Sequence, residues 1–283
     1  MGKWQKFPHD DSEFAYAGPA LGKAWAGLHA GDRVAWPDRK WLAGVLEAIP
    51  DAAPDGFDGD LEKLTGDLQD AWRAFHGGRF GDAIESVGKC GLLAHAVANK
   101  AAGVYATYLE TNNSRQQACF LDAAKRAEQA QQLLPDDPNS HYFHAFNLGR
   151  YSQSVSVVEA LRQGIGGKIQ ASLNQTLTLA PEHAEAHTAM GLYHAEIIDK
   201  VGRMIGAMTY GANSDKSLEH FERAIELTPD SPIAHIEYGN GLYLLFGDKR
   251  LDEVTDLYIK ASEMTPRDAM ECLDIKAAQA ELE

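Results

Sequence analysis

The stretch that decides the fold is residues 184–241, AEAHTAMGLYHAEIIDKVGRMIGAMTYGANSDKSLEHFERAIELTPDSPIAHIEYGNG. Its two ends have the pattern of one repeating helical unit, and its middle, VGRMIGAMTYGAN at 201–213, has the pattern of an insertion into that unit. The apolar residues at 201, 204, 205 and 208 keep helical spacing. We therefore expect the insertion to lengthen the first helix by about two turns and to end in a corner at Gly211 and Asn213.

Outward from this stretch, similar phrases recur along the chain. The phrases AQQLLPDD, NQTLTLAPEH, RAIELTPDS and KASEMTPRD each close a helical pattern with proline, and the prolines at 135, 181, 229 and 266 are 46, 48 and 37 residues apart. Proline ends a helix because the residue before it avoids helical backbone angles. Since a single helix pair cannot bury its apolar face, this recurrence predicts a stack of helix pairs.

The phrases AFNLG, AHTAMG and AHIEYG follow three of the prolines, and in each a small residue and a glycine allow two helices to approach closely. Together with the series Phe221, Ala224, Pro229 and its counterpart at 258, 261 and 266, they resemble the tetratricopeptide repeat (TPR). The resemblance implies an all-α, TPR-like helical-hairpin solenoid that forms a right-handed superhelix. It implies little about function, because one fold supports many functions.

The chain divides by pattern into three parts. Residues 1–60 are rich in aromatic residues, glycine, proline and aspartate, and they hold four of the five tryptophans. Because tryptophans bury large areas, we expect this segment to pack on the solenoid. Residues 61–266 hold about five helix pairs, of which the first two are degenerate and the later ones carry inserts. Residues 267–283 are predicted to form a C-terminal capping helix.

A narrower resemblance covers about residues 160–265. The stretches GIGGKIQASLNQTLTLAPEHAEAHTAMGLYHAEI and GRMIGAMTYGANSDKSLEHFERAIELTPDS are similar to the regulator-of-microtubule-dynamics type of TPR protein. Bacterial repeat proteins associated with substrate-binding-protein transporters have a similar layout. The first resemblance implies a protein-binding helical module and the second a periplasmic lipoprotein, for which no lipoprotein signal is found. We infer no microtubule binding from either resemblance.

Composition limits the classes of partner. The formal net charge is −15, which repels nucleic acid and anionic membrane surfaces. The sequence has neither a secretory signal nor an apolar run long enough for a bilayer, so we predict no membrane insertion and a cytoplasmic location. The three cysteines, at 90, 119 and 272, are far apart, which favours small core residues over a disulfide framework or a zinc site.

No motif marks a catalytic or cofactor site. His183 and His187 lie four apart and His194 two turns further, a spacing that could hold a metal. However, His235 takes the position of His187 in the next repeat, which favours structural packing. The glycines of RQGIGGKIQ, at 162–170, lack the residues of a phosphate loop and favour a turn that opens a helix near Lys168. We predict no enzyme, no metal and no cofactor.

The leading function is a non-catalytic interaction scaffold that binds a protein or peptide on the concave face of the solenoid. The insertion is then either an extended corner or the wall of an apolar pocket with Arg203 as its polar contact, and the pocket would make the chain a small-ligand carrier. The oligomeric state is not predicted. First-helix positions of the later repeats map the expected groove onto Phe143, Phe146, Arg150, Gln153, Glu185, Thr188, Leu192, Glu196, Ile236, Asn240 and Tyr243.

Overall fold

The computed structural model describes residues 4–283, and over that range it contains helices and no β-strand. This confirms the predicted all-α helical solenoid. Within the same range, none of the helices is both long enough and apolar enough to cross a bilayer. The backbone separates into two compact units, which are described in turn.

The first unit comprises residues 4–29 and Arg33–Ser154. Helices α6 (His95–Tyr108), α7 (Asn113–Leu133) and α8 (Pro138–Gln153) pack pairwise in it, and α4 (Phe80–Glu85) packs on α6. The N-terminal segment forms one helix over Ala20–Leu28 and a second over Arg39–Ala48, which Asp38 caps. The helices of this unit are α1 (Ala20–Leu28), α2 (Arg39–Ala48), α3 (Leu61–His76), α4 (Phe80–Glu85), α5 (Val87–Cys90), α6 (His95–Tyr108), α7 (Asn113–Leu133) and α8 (Pro138–Gln153).

The second unit comprises Val155–Glu283 and the short piece Ala30–Asp32. Helix α11 packs on both α13 and α14, and α14 packs in turn on α15 and α16. The helices of this unit are α9 (Val157–Arg162), α10 (Ile165–Leu179), α11 (Ala184–Val201), α12 (Arg203–Tyr210), α13 (Ser214–Leu227), α14 (Pro232–Phe246), α15 (Leu251–Ser262) and α16 (Ala269–Glu281).

Side chains that cap the helix N-termini follow directly from the sequence. Asp137, Ser231 and Asp268 each stand before a helix, and the side-chain oxygen of each accepts a hydrogen bond from a backbone N–H in the first turn. Such caps satisfy donors that have no partner within the helix. Since α8 and α14 begin with proline only a few residues after the previous helix has ended, the chain turns sharply between helices.

The glycine of the first helix and the aromatic residue of the second meet in two repeats. A Cβ atom at Gly191 would lie 2.9 Å from the Phe221 ring, and one at Gly239 would lie 3.0 Å from Tyr258. Because these contacts need a residue without a side chain, the predicted close approach is confirmed there. At Gly149 a Cβ atom would meet no atom within 4 Å, so this glycine permits no close helix contact and the sequence-based expectation for it is wrong.

Tryptophans of the N-terminal segment lie against later helices of the first unit. The Trp4 ring meets Tyr105 of α6 edge-on at 4.9 Å between centroids. Trp25 is buried, meets Trp72 of α3 edge-on at 5.5 Å and donates its Nε1–H to the Val34 carbonyl at 2.8 Å. These contacts place two of the four tryptophans of the segment against α6 and α3. The limits of the three parts proposed from sequence stay predictions, and residues 1–3 lie outside the described part of the chain.

Burial limits the reactivity of the three cysteine thiols. Cys90 and Cys272 are buried, Cys119 is partly buried, and all three are free thiols. Burial raises the pKa of the Cys90 thiol to about 12 and raises the pKa values of the other two. Since the reactive form of cysteine is the thiolate, the chemistry of these groups is that of small apolar residues, as expected from the sequence.

Candidate protein-interaction surface

In the first unit, three of the predicted groove residues form an ordered row on α8. The guanidinium of Arg150 lies 5.9 Å from the centroid of the Phe146 ring and donates a hydrogen bond to the Gln153 side chain at 3.2 Å. Phe146 is partly buried because its ring packs over Gly103, where any Cβ atom would overlap with it. The row therefore presents one aromatic edge, one cation and one exposed amide, held in place by α6.

In the second unit, the groove residues of α11 differ in exposure. Leu192 is half-buried, and Glu196 is engaged by Lys200 one turn later at 2.8 Å. Glu185 contacts another part of the chain, since its backbone N–H donates to the carbonyl of Gly31 at 3.1 Å, and it is partly exposed. Part of the segment before residue 60 thus lies against one of the predicted binding positions.

On α14 of the same unit, Asn240 and Tyr243 are the accessible groove residues. The Asn240 side chain is held from both ends, since its amide N–H donates to Glu237 at 2.9 Å and its oxygen accepts from the Tyr258 hydroxyl at 2.6 Å. This network fixes the orientation of the amide. One N–H and one lone pair of the amide remain for a ligand. Tyr243, with 52% of its surface exposed, is the largest exposed aromatic residue of the unit.

Three of the eleven predicted groove residues are not accessible, which corrects the sequence-based assignment. Phe143 has no exposed surface, Thr188 is buried with its hydroxyl donating to the Ala184 carbonyl, and Ile236 is buried in a cluster with Ala261. A helix presents an arc of positions to its neighbours, and these three lie within the arc that faces other helices. The exposed or partly exposed residues are Phe146, Arg150, Gln153, Glu185, Leu192, Glu196, Asn240 and Tyr243.

The histidines form a cluster that the sequence only partly indicated. His187 Nε2 lies 3.0 Å from the Pro181 carbonyl, so this nitrogen carries the proton, and its Nδ1 accepts from His220 Nδ1–H at 2.8 Å. The His194 ring stacks near His220 with centroids 6.1 Å apart. Sequence spacing marked His187 and His194, but His220 lies on α13 and only the packing of α11 on α13 brings it to them.

Burial is the largest influence on the protonation of this cluster. It lowers the pKa of His194 to about 4, with the charge of Lys216 acting in the same direction. Burial and the neighbouring histidines lower the pKa of His220 to about 4 as well. Among residues 4–283, no group of three or more His, Cys, Asp or Glu side chains is arranged to hold a metal ion. The cluster is therefore a neutral hydrogen-bonded contact between two helices.

The insertion at 201–213 does not lengthen α11 as the sequence predicted. The helix ends at Val201, and Gly202, with φ +83° and ψ 156°, turns the chain into the separate short helix α12. Met204 and Met208 of this helix are 74% and 82% exposed, so they point into solvent and do not form the wall of a closed pocket. The ligand-carrier alternative thereby loses the feature on which it depended.

Replacing Gly202 with alanine is expected to lower the free energy of unfolding by about 1–3 kcal/mol, because its backbone angles are almost restricted to glycine. Gly167 is the matched control. It lies exposed within α10, and a Cβ atom there would meet nothing within 4 Å, so Gly167→Ala should instead stabilise by about 0.5–1 kcal/mol. Urea unfolding measures both values. The same sign of change for the two variants would contradict the backbone assigned to Gly202.

The chain is similar to known proteins in sequence and in structure. The model of the family described as regulator of microtubule dynamics protein 1-3 matches residues 93–238. A solved thermophilic TPR protein from Thermus thermophilus is similar in structure, with a TM-score of 0.54 and 17% sequence identity over 77% of this chain and 99% of that chain. At this identity the likeness concerns the fold alone. No curated protein matches the chain.

Proposed function

Because the chain belongs to the regulator of microtubule dynamics protein 1-3 family and has the fold of a TPR protein, we propose that it is a non-catalytic interaction scaffold for a protein or peptide. The resemblance found in the sequence is thereby confirmed as to family and fold. Binding at the first-helix surface is the finer part of the proposal. The observation that carries it is the pair formed by the exposed Tyr243 ring and the fixed Asn240 amide on α14.

These two side chains suit an extended peptide for separate reasons. The tyrosine ring offers a large apolar area with only two side-chain torsions to immobilise, which keeps the entropic cost of binding low. The amide of Asn240 is already oriented by Glu237 and Tyr258, so its remaining N–H and lone pair can bond a peptide backbone without further ordering. Leu192 and Glu196 lie on α11, the first helix that packs on α14, and both are partly exposed.

The surface on α14 is tested with a peptide selected from a random library on the immobilised full-length chain. Tyr243→Ala should weaken binding of that peptide about 30-fold, the loss typical of an interface residue worth about 2 kcal/mol. Leu251→Ala is the matched control, because Leu251 is similarly exposed, at 46%, but lies at the start of α15. Equal affinity of both variants for the peptide would refute the assignment of Tyr243.

The row on α8 is a second set that requires its own variant. Phe146 packs over Gly103, so truncating it would also create a cavity and lower stability. Arg150→Ala is the more conservative change, since this side chain is partly exposed and lies over the Phe146 ring while donating to Gln153, so its removal opens no buried cavity. Loss of peptide binding in Arg150→Ala with unchanged thermal unfolding would assign a separate binding surface to α8 of the first unit.

A further inference from the structure

Helix α12 exposes its apolar side and buries its smallest residue. The side chains of Met204, Ile205 and Met208 are 74%, 52% and 82% exposed, and together they are called the α12 patch. At 100° per residue these three positions fall within an arc of about 100° on one side of the helix. Gly206, on the opposite side, is the buried residue of the helix. A surface helix normally has the reverse arrangement.

The helix is held in this orientation by contacts on its inner side and at both ends. A Cβ atom at Gly206 would lie 3.3 Å from Ile197, so α12 is seated closely on α11. At its C-terminal end the Tyr210 carbonyl accepts a hydrogen bond from Gln170 of α10 at 2.8 Å, and at its N-terminal end Arg203 reaches the Leu245 carbonyl at 3.5 Å. The α12 patch is therefore displayed by a fixed helix of the folded unit.

A second short helix, α9, also exposes apolar side chains. Val158 and Leu161 of α9 are 75% and 46% exposed, and no residue of α9 is buried. Helix α10 begins three residues after α9 ends, and a Cβ atom at its Gly166 would lie 3.2 Å from the Tyr210 ring of α12. This contact places the start of α10, which follows α9 closely in the chain, near the C-terminal end of α12.

Basic residues predominate in the segments that carry this surface, although Glu159, Asp199 and Asp215 lie at their ends. Residues 160–181 and 200–214 contain lysine and arginine but no acidic residue, although the chain as a whole has a formal net charge of −15. Lys168, Arg203 and Lys216 form no ion pair within the described part of the chain, whereas the nearby Lys200 is engaged by Glu196. An apolar partner with flanking carboxylates would meet complementary charges here.

We propose that the α12 patch is a docking surface for an amphipathic helix of a partner protein that carries acidic side chains beside its apolar stripe. Methionine suits this role because its flexible, polarisable side chain adapts to different apolar partners. Such a helix would place residues at i, i+3, i+4 and i+7 on the patch. A membrane surface fits less well, because the net charge of −15 opposes anionic lipid and interfacial helices also use Trp, Phe or Leu, which α12 lacks. This site is distinct from the proposed surface on α14 and does not depend on it.

The probe is a fluorescein-labelled helical peptide of about 18 residues, with leucine on one face and glutamate on the others. Its binding to the full-length protein is measured by fluorescence anisotropy at low and high salt. We expect saturable binding that weakens with salt and falls at least about tenfold in Met204→Gln/Met208→Gln, because an amide side chain removes the apolar contact. Leu251→Gln, which changes an exposed apolar residue of α15, should bind the peptide as the unchanged protein does.

Several results would overturn the proposal. One is absence of binding to the unchanged protein, and a second is equal binding by the double variant. Equal binding of a peptide with lysine in place of glutamate would refute the charge complementarity. Two further results would assign the patch to another occupant: self-association in sedimentation that the double substitution abolishes, or binding to phosphatidylglycerol vesicles that depends on the two methionines. The variants replace exposed side chains, so circular dichroism should show unchanged helicity.

Discussion

Phe221→Ala is expected to lower the free energy of unfolding by about 3–5 kcal/mol, a larger effect than that of the other single substitutions described above. Phe221 is 1% exposed and lies where α11, α13 and α14 meet. Its ring is stacked on Tyr238 at 5.0 Å and fills the space left by the glycines at 191 and 241. Removing the ring removes contacts with three helices at once. The two neighbouring glycines have no side chain that could fill the cavity.

Urea unfolding followed by circular dichroism measures this loss, and Gly241→Ala provides an internal test of its cause. Alone, that substitution should destabilise, because its methyl group would overlap with the Phe221 ring. In Phe221→Ala/Gly241→Ala the methyl group enters the cavity instead, so the double variant should lose less than the sum of the two single losses. Strictly additive losses would show that the ring and the glycine do not share this space.

Acidification from about pH 6.5 to pH 4 is expected to destabilise the protein by about 1–3 kcal/mol through the histidine cluster of α11 and α13, since His220 is only partly buried and solvent screens its charge. The pKa values of His194 and His220 are lowered from 6.5 to about 4 by burial and nearby cations. A histidine in the unfolded chain therefore binds a proton as the pH falls below about 6.5, while the folded chain resists protonation until about pH 4. Each pKa unit of difference corresponds to about 1.4 kcal/mol.

The sign of this pH dependence follows from the geometry of the hydrogen-bonded pair His187 and His220. The shared hydrogen bond between His187 and His220 accommodates one added proton, but two would place N–H groups and positive charges against each other at 2.8 Å. Arg223 and Lys216 add repulsion, because their charges also lower the pKa values of these histidines. Stability is thus full above pH 6.5 and is lost progressively towards pH 4.

Urea unfolding at pH 7.5, 6, 5 and 4.5 measures the dependence, and His220→Gln is the diagnostic variant. An amide can donate to His187 Nδ1 but does not take up a proton in this range, so the variant should show a smaller loss between pH 7.5 and 4.5. Although it is buried, the Asp137 carboxylate has a lowered pKa because His95 Nε2 lies 2.6 Å from it. The stability that Asp137 contributes is therefore lost below the pH range of this measurement. An unchanged pH dependence in His220→Gln would assign the effect to other groups.

The repeats could be read from the sequence because each depends on local rules. Proline marks the helix ends, the aspartate and serine caps mark the starts, and the series of Phe221 and Ala224 marks the buried side of a second helix. The family resemblance depended on the same residues. Spacing also identified Asn240 and Tyr243 as accessible first-helix positions, which the structure places at the surface.

Other features depended on residues far apart in the chain. The insertion kept helical spacing up to residue 208, yet the positive φ of Gly202 breaks it, because the short helix must turn to seat Gly206 on Ile197. The sequence could likewise not predict that Phe143 is buried while Phe146 is half-exposed, since both are large apolar residues on one helix. Their exposures differ because neighbouring helices cover one part of the helix surface and leave another open.

The sequence by itself therefore determined the class of fold, the register of the helix pairs and the family. Periodicity, caps and proline stops act within a few residues, so they are visible in one dimension. Only the tertiary structure decided which apolar residues face water, which histidines meet and which predicted groove positions are buried against other helices, as Phe143 is. These outcomes are set by packing between helices that lie dozens of residues apart, and packing depends on the shapes of both partners.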